Sequence, residues 1–238
     1  MDTPIRVSVI IPCFHDEVRL GRLLPEIRSL GSGIKEIFVV DAAASSECQE
    51  LCRKYEADYL ASPPCRGAQL RTAAARATAE VLWFLHADAR FSGNPLASID
   101  RVFKRRGAIG GFFRFRFAGP RPWPAPLLER AIALRVRWGT PYGDQGIFMS
   151  QKAYHQSGGF PEWPLFEEVP LVRKLRQQGR FIGLKEVILV DPRKWDREGW
   201  WWRTWNNRLL ATAFALGIPP HRLAALYNHP LQIFRPQK

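Results

Sequence analysis

The sequence predicts an α/β fold in which a Rossmann-like, mostly parallel central sheet carries helices on both faces. Short β-branched apolar runs alternate with segments of helical periodicity through the first third of the chain, and the links between them are short. These runs are continuously apolar, as expected for parallel strands that are buried on both faces. The length of 238 residues suits one such domain with a C-terminal helical tail.

The first half of the chain predicts four strands and three helices. The predicted strands cover residues 5–11, 36–41, 58–61 and 81–85. The predicted helices cover residues 18–30, 46–56 and 67–79. The second helix is expected to begin at Ser46, because Gln49 three residues later completes a capping box. Right-handed crossovers through these helices would leave the four strands parallel.

The second half is less regular. Phe113, Phe115 and Phe117 alternate with arginines, which is typical of a half-exposed strand. The segment GPRPWPAP at residues 119–126 is rich in proline and is predicted to be a stiff loop. Further helices are predicted at residues 127–138, 169–178 and 200–216, and further strands at residues 145–150 and 181–190.

The chain is strongly basic, with a net charge of +13 from 35 Lys and Arg and 22 Asp and Glu. Residues 1–119 carry +4 and residues 120–238 carry +9. This balance favours an anionic partner, whether nucleic acid, acidic lipid or a phosphate-bearing small molecule. No apolar run reaches the roughly 18 residues of a membrane-spanning helix. Four cysteines are too few for a disulfide scaffold, so we expect a cytoplasmic protein.

Polar side chains follow several of the predicted strands. Asp16 and Glu17 come after the first strand, Asp41 ends the second, and His86 and Asp88 follow the fourth. In parallel α/β sheets, ligands bind beyond the carboxyl ends of the strands, so these side chains are expected to converge on one site. The alternative for any one of them is a helix cap, which is a common role for such residues.

Several motifs occur in an order that indicates a family. The segments SVIIPCFHDE, IFVVDAAASSE, CRGAQLRTAAARATAEVLWFLHAD and GGF followed by EE are spread over residues 5–190. Together they resemble glycosyltransferase family 2, which implies the GT-A nucleotide-sugar transferase fold. The segments GDQGIF and HAD most resemble a small bacterial subgroup associated with arsenosugar biosynthesis.

The resemblance implies an inverting enzyme that moves a sugar from a nucleotide-diphosphate donor to an acceptor hydroxyl. It also implies a division of the chain. Residues 1–192 would form the catalytic domain, with a nucleotide-binding half at 1–118 and an acceptor half at 119–192. Residues 193–238 would form a basic, Trp-rich helical tail.

The implied donor-binding residues are Pro12, Asp16, Glu17, Asp41, Arg66, Gly67, Arg193, Lys194 and Trp195. Asp41 would accept a hydrogen bond from the base or the ribose, but Ala42 replaces the family's second acid, so the base stays open. Arg66 and Gly67 could meet phosphate or base at a helix N-terminus, or Arg66 could simply face solvent. The basic pair at 193–194 would stabilise the leaving diphosphate.

His86–Ala87–Asp88 aligns with the Asp-x-Asp metal site of the family. Two side chains at i and i+2 of an extended segment point the same way and can reach one ion. Because imidazole is a poor ligand for Mg²⁺, either Mn²⁺ is preferred or Asp88 binds the metal mostly alone. The alternative is that His86 is an ordinary loop residue.

Glu167 and Glu168 precede a predicted helix and align with the Glu-Asp pair of the family. The resemblance implies that Glu168 is the general base for the acceptor hydroxyl, with Glu167 beside it. Two acids at a helix N-terminus could also serve the helix dipole alone. Asp144, in the turn GDQG, is expected to face the acceptor, although an Asp between glycines is also a common turn residue.

The tail combines tryptophan with basic charge. Five of the nine tryptophans lie within residues 195–205, and residues 193–238 carry eight basic and two acidic side chains. Such a composition suits peripheral contact with an anionic membrane, at the inner face of the cytoplasmic membrane. The alternative, which we favour here, is a helix that packs on the catalytic domain and lines the acceptor pocket.

Two other functions compete with the transferase. Ala42 and His86, both departures from acids of the family, would fit a nucleotide-binding protein without catalysis. The basic tail would fit a peripheral membrane or RNA-binding protein, but nucleic acid ranks last because the sheet half has no basic stripe or RNA motif. The sequence leaves open the donor base, the sugar, the acceptor and the oligomeric state.

Overall fold

The computed structural model of the chain describes residues 5–228, so the part of the predicted tail at residues 229–238 lies outside the described residues. One mixed sheet has the strand order β3-β2-β1-β4-β7-β6-β8-β5. The strands are β1 (Val7–Cys13), β2 (Ile34–Asp41), β3 (Asp58–Ala61), β4 (Val81–Phe84), β5 (Arg90–Phe91), β6 (Ala108–Phe117), β7 (Phe148–Ser150) and β8 (Arg180–Val190).

Helices cover both faces of this sheet. They are α1 (Glu17–Arg28), α2 (Ser46–Lys54), α3 (Arg66–Ala74), α4 (Pro95–Phe103), α5 (Pro124–Trp138), α6 (Gln151–Gln156), α7 (Glu168–Gln178), α8 (Arg193–Glu198), α9 (Trp200–Ala215) and α10 (Pro220–Asn228). Within residues 5–228, no helix is both long enough and apolar enough to cross a bilayer.

Strands β1 to β4 are parallel, as predicted. The central strands β1 and β4 are buried on both faces, whereas β3 at the edge of the sheet is largely exposed. Successive side chains of β4 alternate between two cores: Trp83 packs with α1, α2 and α4, whereas Leu82 and Phe84 pack with α3, α6 and α7. This alternation follows from the two-residue period of a strand. The predicted α/β fold with a Rossmann-like, mostly parallel sheet is therefore confirmed.

The second half of the sheet has a mixed pattern. Strand β7 is antiparallel to both β4 and β6, and β6 and β8 are parallel. Two glycines of β6 allow this close approach, since a Cβ at Gly110 would lie 2.3 Å from the carbonyl oxygen of Phe148 and one at Gly111 2.2 Å from that of Ile182. Arg114 on β6 is exposed between buried phenylalanines, as its alternation predicts.

One helix cap and one helix end differ from the prediction. Helix α2 begins at Ser46, as predicted, but its cap is Ser45, since the Ser45 hydroxyl accepts a hydrogen bond from the Cys48 amide at 3.2 Å. Helix α3 ends at Ala74 rather than at residue 79. The carboxylate of Glu36 on β2 accepts the amide N–H of Thr78 at 3.0 Å, which holds the following segment in a turn.

Other differences lie in the second half. Helix α5 begins at Pro124, inside the predicted loop, because proline suits the first turn of a helix. The strand predicted at residues 145–150 is shorter, and β7 begins only at Phe148 because Gly146 adopts a left-handed conformation. The prediction missed β5, α4, α6, α8 and α10.

The described part of the tail packs on the core. Trp195 and Trp200 contact the ring of Phe117 on β6, at centroid distances of 5.0 and 4.8 Å. Leu223 of α10 is fully buried against Phe166, in a cluster that also contains Phe214 of α9. Helices α9 and α10 therefore lie across the loop that precedes α7.

Candidate active site

A cavity of about 470 Å³ opens beyond the carboxyl ends of β1 and β4, beneath the tail helices. Ten of the sequence-predicted site residues line it: Pro12, Asp16, Arg66, His86, Asp88, Asp144, Glu168, Arg193, Lys194 and Trp195. The volume lies within the range of small-molecule sites. Residues that are far apart in the sequence, Asp88 and Glu168 among them, thus share one cleft.

His86 and Asp88 follow β4, where the chain turns through a hydrogen bond from the Ala89 amide to the His86 carbonyl. Burial, with help from the nearby Arg66 and Lys194, lowers the pKa of His86 to about 3, so the imidazole is neutral near pH 7. Burial, reinforced by the neighbouring carboxylate of Asp16, raises the pKa of Asp88.

These two side chains fit a divalent cation. Burial and nearby charges shift the pKa of Asp88, and no hydrogen bond to its carboxylate contributes to that shift. A neutral imidazole offers a free nitrogen lone pair, and a carboxylate that burial destabilises gains from a cation beside it. A nitrogen and an oxygen donor together suit Mn²⁺ better than Mg²⁺.

Glu168 begins α7 and is almost fully buried, at 1% exposure. Its Oε1 atom accepts the amide N–H of Gly143 at 2.7 Å and a longer contact from Arg66 at 3.4 Å. Phe166, two residues earlier, has a positive φ of 61°, which is rare for an aromatic residue. The backbone before α7 is therefore held in a strained turn that aims Glu168 at the cavity.

Glu167 lies outside the cavity wall and is fully buried. Both of its carboxylate oxygens accept hydrogen bonds from the guanidinium of Arg66. Burial raises the pKa of Glu167 above its ordinary value, and the charge of Arg66 opposes that rise. This pair fixes the guanidinium next to Glu168, so Arg66 does not simply face solvent.

Gly143 lies between the metal candidate and the base candidate. A Cβ at this position would lie 2.8 Å from Glu168 Oε1 and 2.8 Å from His86 Nε2. The two side chains therefore lie on either side of Gly143, and a larger residue there would have to displace one or both of them.

Asp144 lines the same wall of the cavity. Its Oδ1 atom is buried and has no hydrogen-bond partner among residues 5–228. Burial raises the pKa of Asp144 to about 6, against the lowering effect of Arg135. Asp144 is therefore a second carboxylate that could exchange a proton with a bound hydroxyl near neutral pH.

Asp16 and Arg193 close one side of the cavity. The guanidinium of Arg193 donates two hydrogen bonds to the carboxylate of Asp16, at 2.7 and 2.6 Å. Asp16 also accepts a bond from Arg19, and Arg19 pairs with Asp191 at 2.5 Å. Through this network the segment after β8 is tied to the loop after β1.

The other predicted donor residues lie outside the cavity wall. Asp41 is fully buried, and its carboxylate accepts the amides of Ala43 and Ser45 at 2.9 and 2.7 Å. Gly67 donates its amide to the carbonyl of Trp163 and packs against that backbone. Glu17 lies in the first turn of α1. Asp41 and Gly67 thus order loops beside the cavity in this structure.

Several cavity residues were not predicted from the sequence. Asp191 directly follows β8, so the rule that singled out Asp16 and Asp88 would have found it. Arg203 and Tyr227 come from α9 and α10, and no sequence signal marks them. Lys194 donates a hydrogen bond to the Tyr227 hydroxyl at 3.2 Å, and the guanidinium of Arg203 lies 4.3 Å over the Tyr227 ring.

A buried group of Cys13, Asp41 and Cys48 places three possible ligand atoms within 4.8 Å of one another. The hydrogen bond with Cys48 and burial raise the pKa of the Cys13 thiol far above its ordinary value. The Asp41 oxygens are already occupied by backbone amides. Protonated thiols and a satisfied carboxylate are poor metal ligands, so the metal candidate stays at His86 and Asp88.

Comparison of the sequence with known protein families shows which family this chain belongs to. The family described as Glycosyl transferase family 2 matches residues 8–159, which is more than half of the chain. The chain belongs to glycosyltransferase family 2. The matched segment begins within β1, contains β2 to β7 and the HAD segment, and ends before Glu167 and Glu168 at the start of α7. No curated relative matches the chain.

This family 2 chain is similar in structure to several solved glycosyltransferases. The mannosyltransferase PcManGT from Pyrobaculum calidifontis, in complex with GDP-Man and Mn²⁺, has a TM-score of 0.64 and 19% identity, covering 92% of this chain and 67% of that one. TarS from S. aureus has a TM-score of 0.61 and 16% identity, covering 79% and 37%.

Glucosyl-3-phosphoglycerate synthase from Mycobacterium tuberculosis, in complex with Mn²⁺ and UDP-Glc, has a TM-score of 0.58 and 14% identity, covering 77% of this chain and 70% of that one. The family 2 chain therefore spans well under half of TarS and about two thirds of the other two. At these identities the similarity establishes the GT-A-like fold.

Proposed function

We propose that the chain is an inverting, metal-assisted glycosyltransferase that moves a sugar from a nucleotide-diphosphate donor to an acceptor hydroxyl. The observation that carries the proposal is that His86, Asp88 and Glu168 line one cavity, with His86 and Glu168 on either side of Gly143. Family membership supports the reaction class. The similar PcManGT structure contains GDP-Man and Mn²⁺, which supports this kind of donor and metal.

Asp88 and His86 would hold the divalent cation, with Mn²⁺ favoured by the imidazole donor. When bound, the cation would neutralise charge on the departing nucleoside diphosphate. Arg193 and Lys194 line the same side of the cavity and would add fixed positive charge toward the phosphates. The Asp16–Arg193 pair would hold that guanidinium in place.

Glu168 would remove the proton from the acceptor hydroxyl as its oxygen attacks the anomeric carbon. Its Oε1 atom is engaged by Gly143 and Arg66, so Oε2 is the oxygen that would take the proton. Attack from the face opposite the leaving diphosphate is a single displacement and inverts the anomeric configuration. Glu167 would act through Arg66, as a positioning residue.

The donor base, the transferred sugar and the acceptor are narrower proposals. Ala42 lines the cavity where the family's second acid would stand, so the base could be read differently from that of relatives. Transfer of a hexose is proposed by analogy with the mannosyl- and glucosyltransferase neighbours. Because of the motifs GDQGIF and HAD, we also propose that the chain belongs to the bacterial subgroup associated with arsenosugar biosynthesis.

Release of nucleoside diphosphate from UDP-Glc and GDP-Man, with Mn²⁺ and with water in place of the acceptor, tests this proposal. We expect release from at least one donor, and a loss of about 10²- to 10⁴-fold in Glu168→Gln. Asp144→Asn is the matched control, since it neutralises the other cavity carboxylate. Loss of nucleoside diphosphate release in Asp144→Asn, but not in Glu168→Gln, would identify Asp144 as the general base. Donor binding without release would favour a nucleotide-binding protein without catalysis.

A further inference from the structure

Exposed apolar side chains lie along helices α5 and α9 and at their ends. We define the α5–α9 face as Trp123, Leu127, Trp201, Trp205, Leu209 and Leu216. The exposed fractions are large, reaching 74% for Trp123, 61% for Trp205 and 80% for Leu216. Large exposed apolar patches on a folded chain indicate an interaction surface.

The residues of the face are aligned by helical periodicity. On α9, Trp201, Trp205 and Leu209 are spaced by four residues, so they form one stripe along the helix. The rings of Trp123 and Trp201 lie 5.4 Å apart, and this contact joins the start of α5 to the start of α9. The exposed side chains at the start of α5 and the stripe on α9 therefore lie next to each other.

The fold does not use this surface for its own packing. The opposite side of α9 holds the helix on the core: Arg203 is buried, and Phe214 stacks on Phe166 at a centroid distance of 4.7 Å. Among the tail tryptophans, Trp195 and Trp200 pack on the core, whereas Trp201 and Trp205 are exposed. The packing alternative for the tail thus describes α8 and the inner side of α9, whereas the outer side of α9 has no packing partner among residues 5–228 apart from the contact with Trp123.

The charge around the α5–α9 face favours an anionic partner. Residues 199–228 contain no Asp or Glu, and Arg208 and Arg222 on this segment are exposed, as is Arg130 on α5. A second copy of the chain would bring arginines against arginines. An anionic lipid surface complements the charge, and tryptophan and leucine suit the boundary between headgroups and acyl chains.

We infer that the α5–α9 face docks on an anionic phospholipid bilayer as an interfacial, non-spanning surface. The inner side of α9 lines the cavity through Arg203, Asn207 and Leu210. A docked chain would therefore hold the mouth of the cavity close to the membrane. This inference does not depend on the proposed transferase reaction, because it concerns the outer side of the helix alone.

Co-sedimentation of the full chain with lipid vesicles tests the inference. Vesicles of phosphatidylcholine alone are compared with vesicles that also contain phosphatidylglycerol, at low and high salt. We expect binding to the anionic vesicles, weakened by salt. The double variant Trp205→Ser with Leu209→Ser should bind at least about tenfold more weakly, and Arg208→Ser should bind more weakly too.

Val18→Ser is the matched control, because Val18 is an equally exposed apolar residue, at 64%, on α1. It should bind vesicles like the unaltered chain, and all variants should keep the same thermal unfolding midpoint, since these side chains are exposed. No binding to the anionic vesicles, or equal binding by the double variant, would overturn the inference. A chain that elutes as a dimer, and as a monomer only in the double variant, would overturn it in favour of self-association.

Discussion

Among individual side chains, Asp144 pays an electrostatic cost for its position. Its Oδ1 atom is buried without a partner among the described residues, and burial raises its pKa from 3.8 to about 6. The folded chain therefore holds this proton to a higher pH than the unfolded chain. Stability conferred by the protonated form falls as the pH rises from 3.8 to about 6 and stays reduced above that range.

Asp144→Asn is predicted to stabilise the fold at about pH 7 by up to about 3 kcal/mol, which is the free energy of the pKa difference. The gain should shrink toward zero at about pH 3, below both pKa values, where Asp144 is largely protonated in the folded and the unfolded chain. Urea unfolding at the two pH values measures it. Asp58→Asn, at an exposed carboxylate on β3, should change little at either pH. An Asp144→Asn variant that is less stable than the unaltered chain at about pH 7 would contradict the electrostatic account.

Site residues were predictable where they follow strands. Asp88 could be assigned to the site because it comes just after β4, and the same rule would have found Asp191 after β8. Arg203 and Tyr227 could not be assigned, because their approach to the cavity depends on how the tail packs over Phe166. Asp41 also follows the rule in sequence but does not line the cavity, because its carboxylate accepts backbone amides of the loop that follows β2.

For the secondary-structure elements, the N-terminus of α3 is the most constrained junction at the site. A Cβ at Gly67 would lie 2.0 Å from the carbonyl oxygen of Pro161 and 2.8 Å from the backbone nitrogen of Trp163. Both obstacles are backbone atoms, which cannot rotate away. The junction also carries Arg66, whose guanidinium holds Glu167 and contacts Glu168.

Gly67→Ala is therefore predicted to lower the free energy of unfolding by at least about 2 kcal/mol, through overpacking against the 161–163 backbone. Urea unfolding measures the loss. Thr72→Ala, an exposed change on the same helix, should stay within about 0.5 kcal/mol of the unaltered chain. Equal stability of Gly67→Ala and the unaltered chain would show that α3 can move away from the loop.

Element boundaries were predictable where the signal is local. The start of α4 could have been predicted, because Asn94 caps it and Pro95 occupies the first turn. The early end of α3 could not, since it depends on the carboxylate of Glu36 reaching Thr78 from another strand. A helix cap depends on neighbouring residues and can be predicted from the sequence, whereas a long-range hydrogen bond depends on the tertiary structure.

For the molecule as a whole, the parallel half of the sheet could be predicted and the mixed half could not. Alternating strands and helices determine β1 to β4, but β7 enters between β4 and β6 through contacts that are distant in sequence. The positive excess of the second half lies partly at the cavity, through Arg193 and Lys194, and is partly exposed, at Arg130 on α5 and Arg208 on α9.

The central claim is that the cavity binds a nucleoside diphosphate through a cation held by Asp88. Thermal unfolding with UDP or GDP, each with and without Mn²⁺, tests it most directly, with Asp88→Asn as the variant and Asp58→Asn as the control. At a ligand concentration about 100 times Kd, binding adds about 2.7 kcal/mol, or roughly 5–10 °C in Tm.

We predict that shift for one nucleotide with Mn²⁺, in the unaltered chain and in Asp58→Asn, and its loss in Asp88→Asn. A shift that is equally large in Asp88→Asn, or no shift with either nucleotide in the presence of Mn²⁺, would contradict the claim.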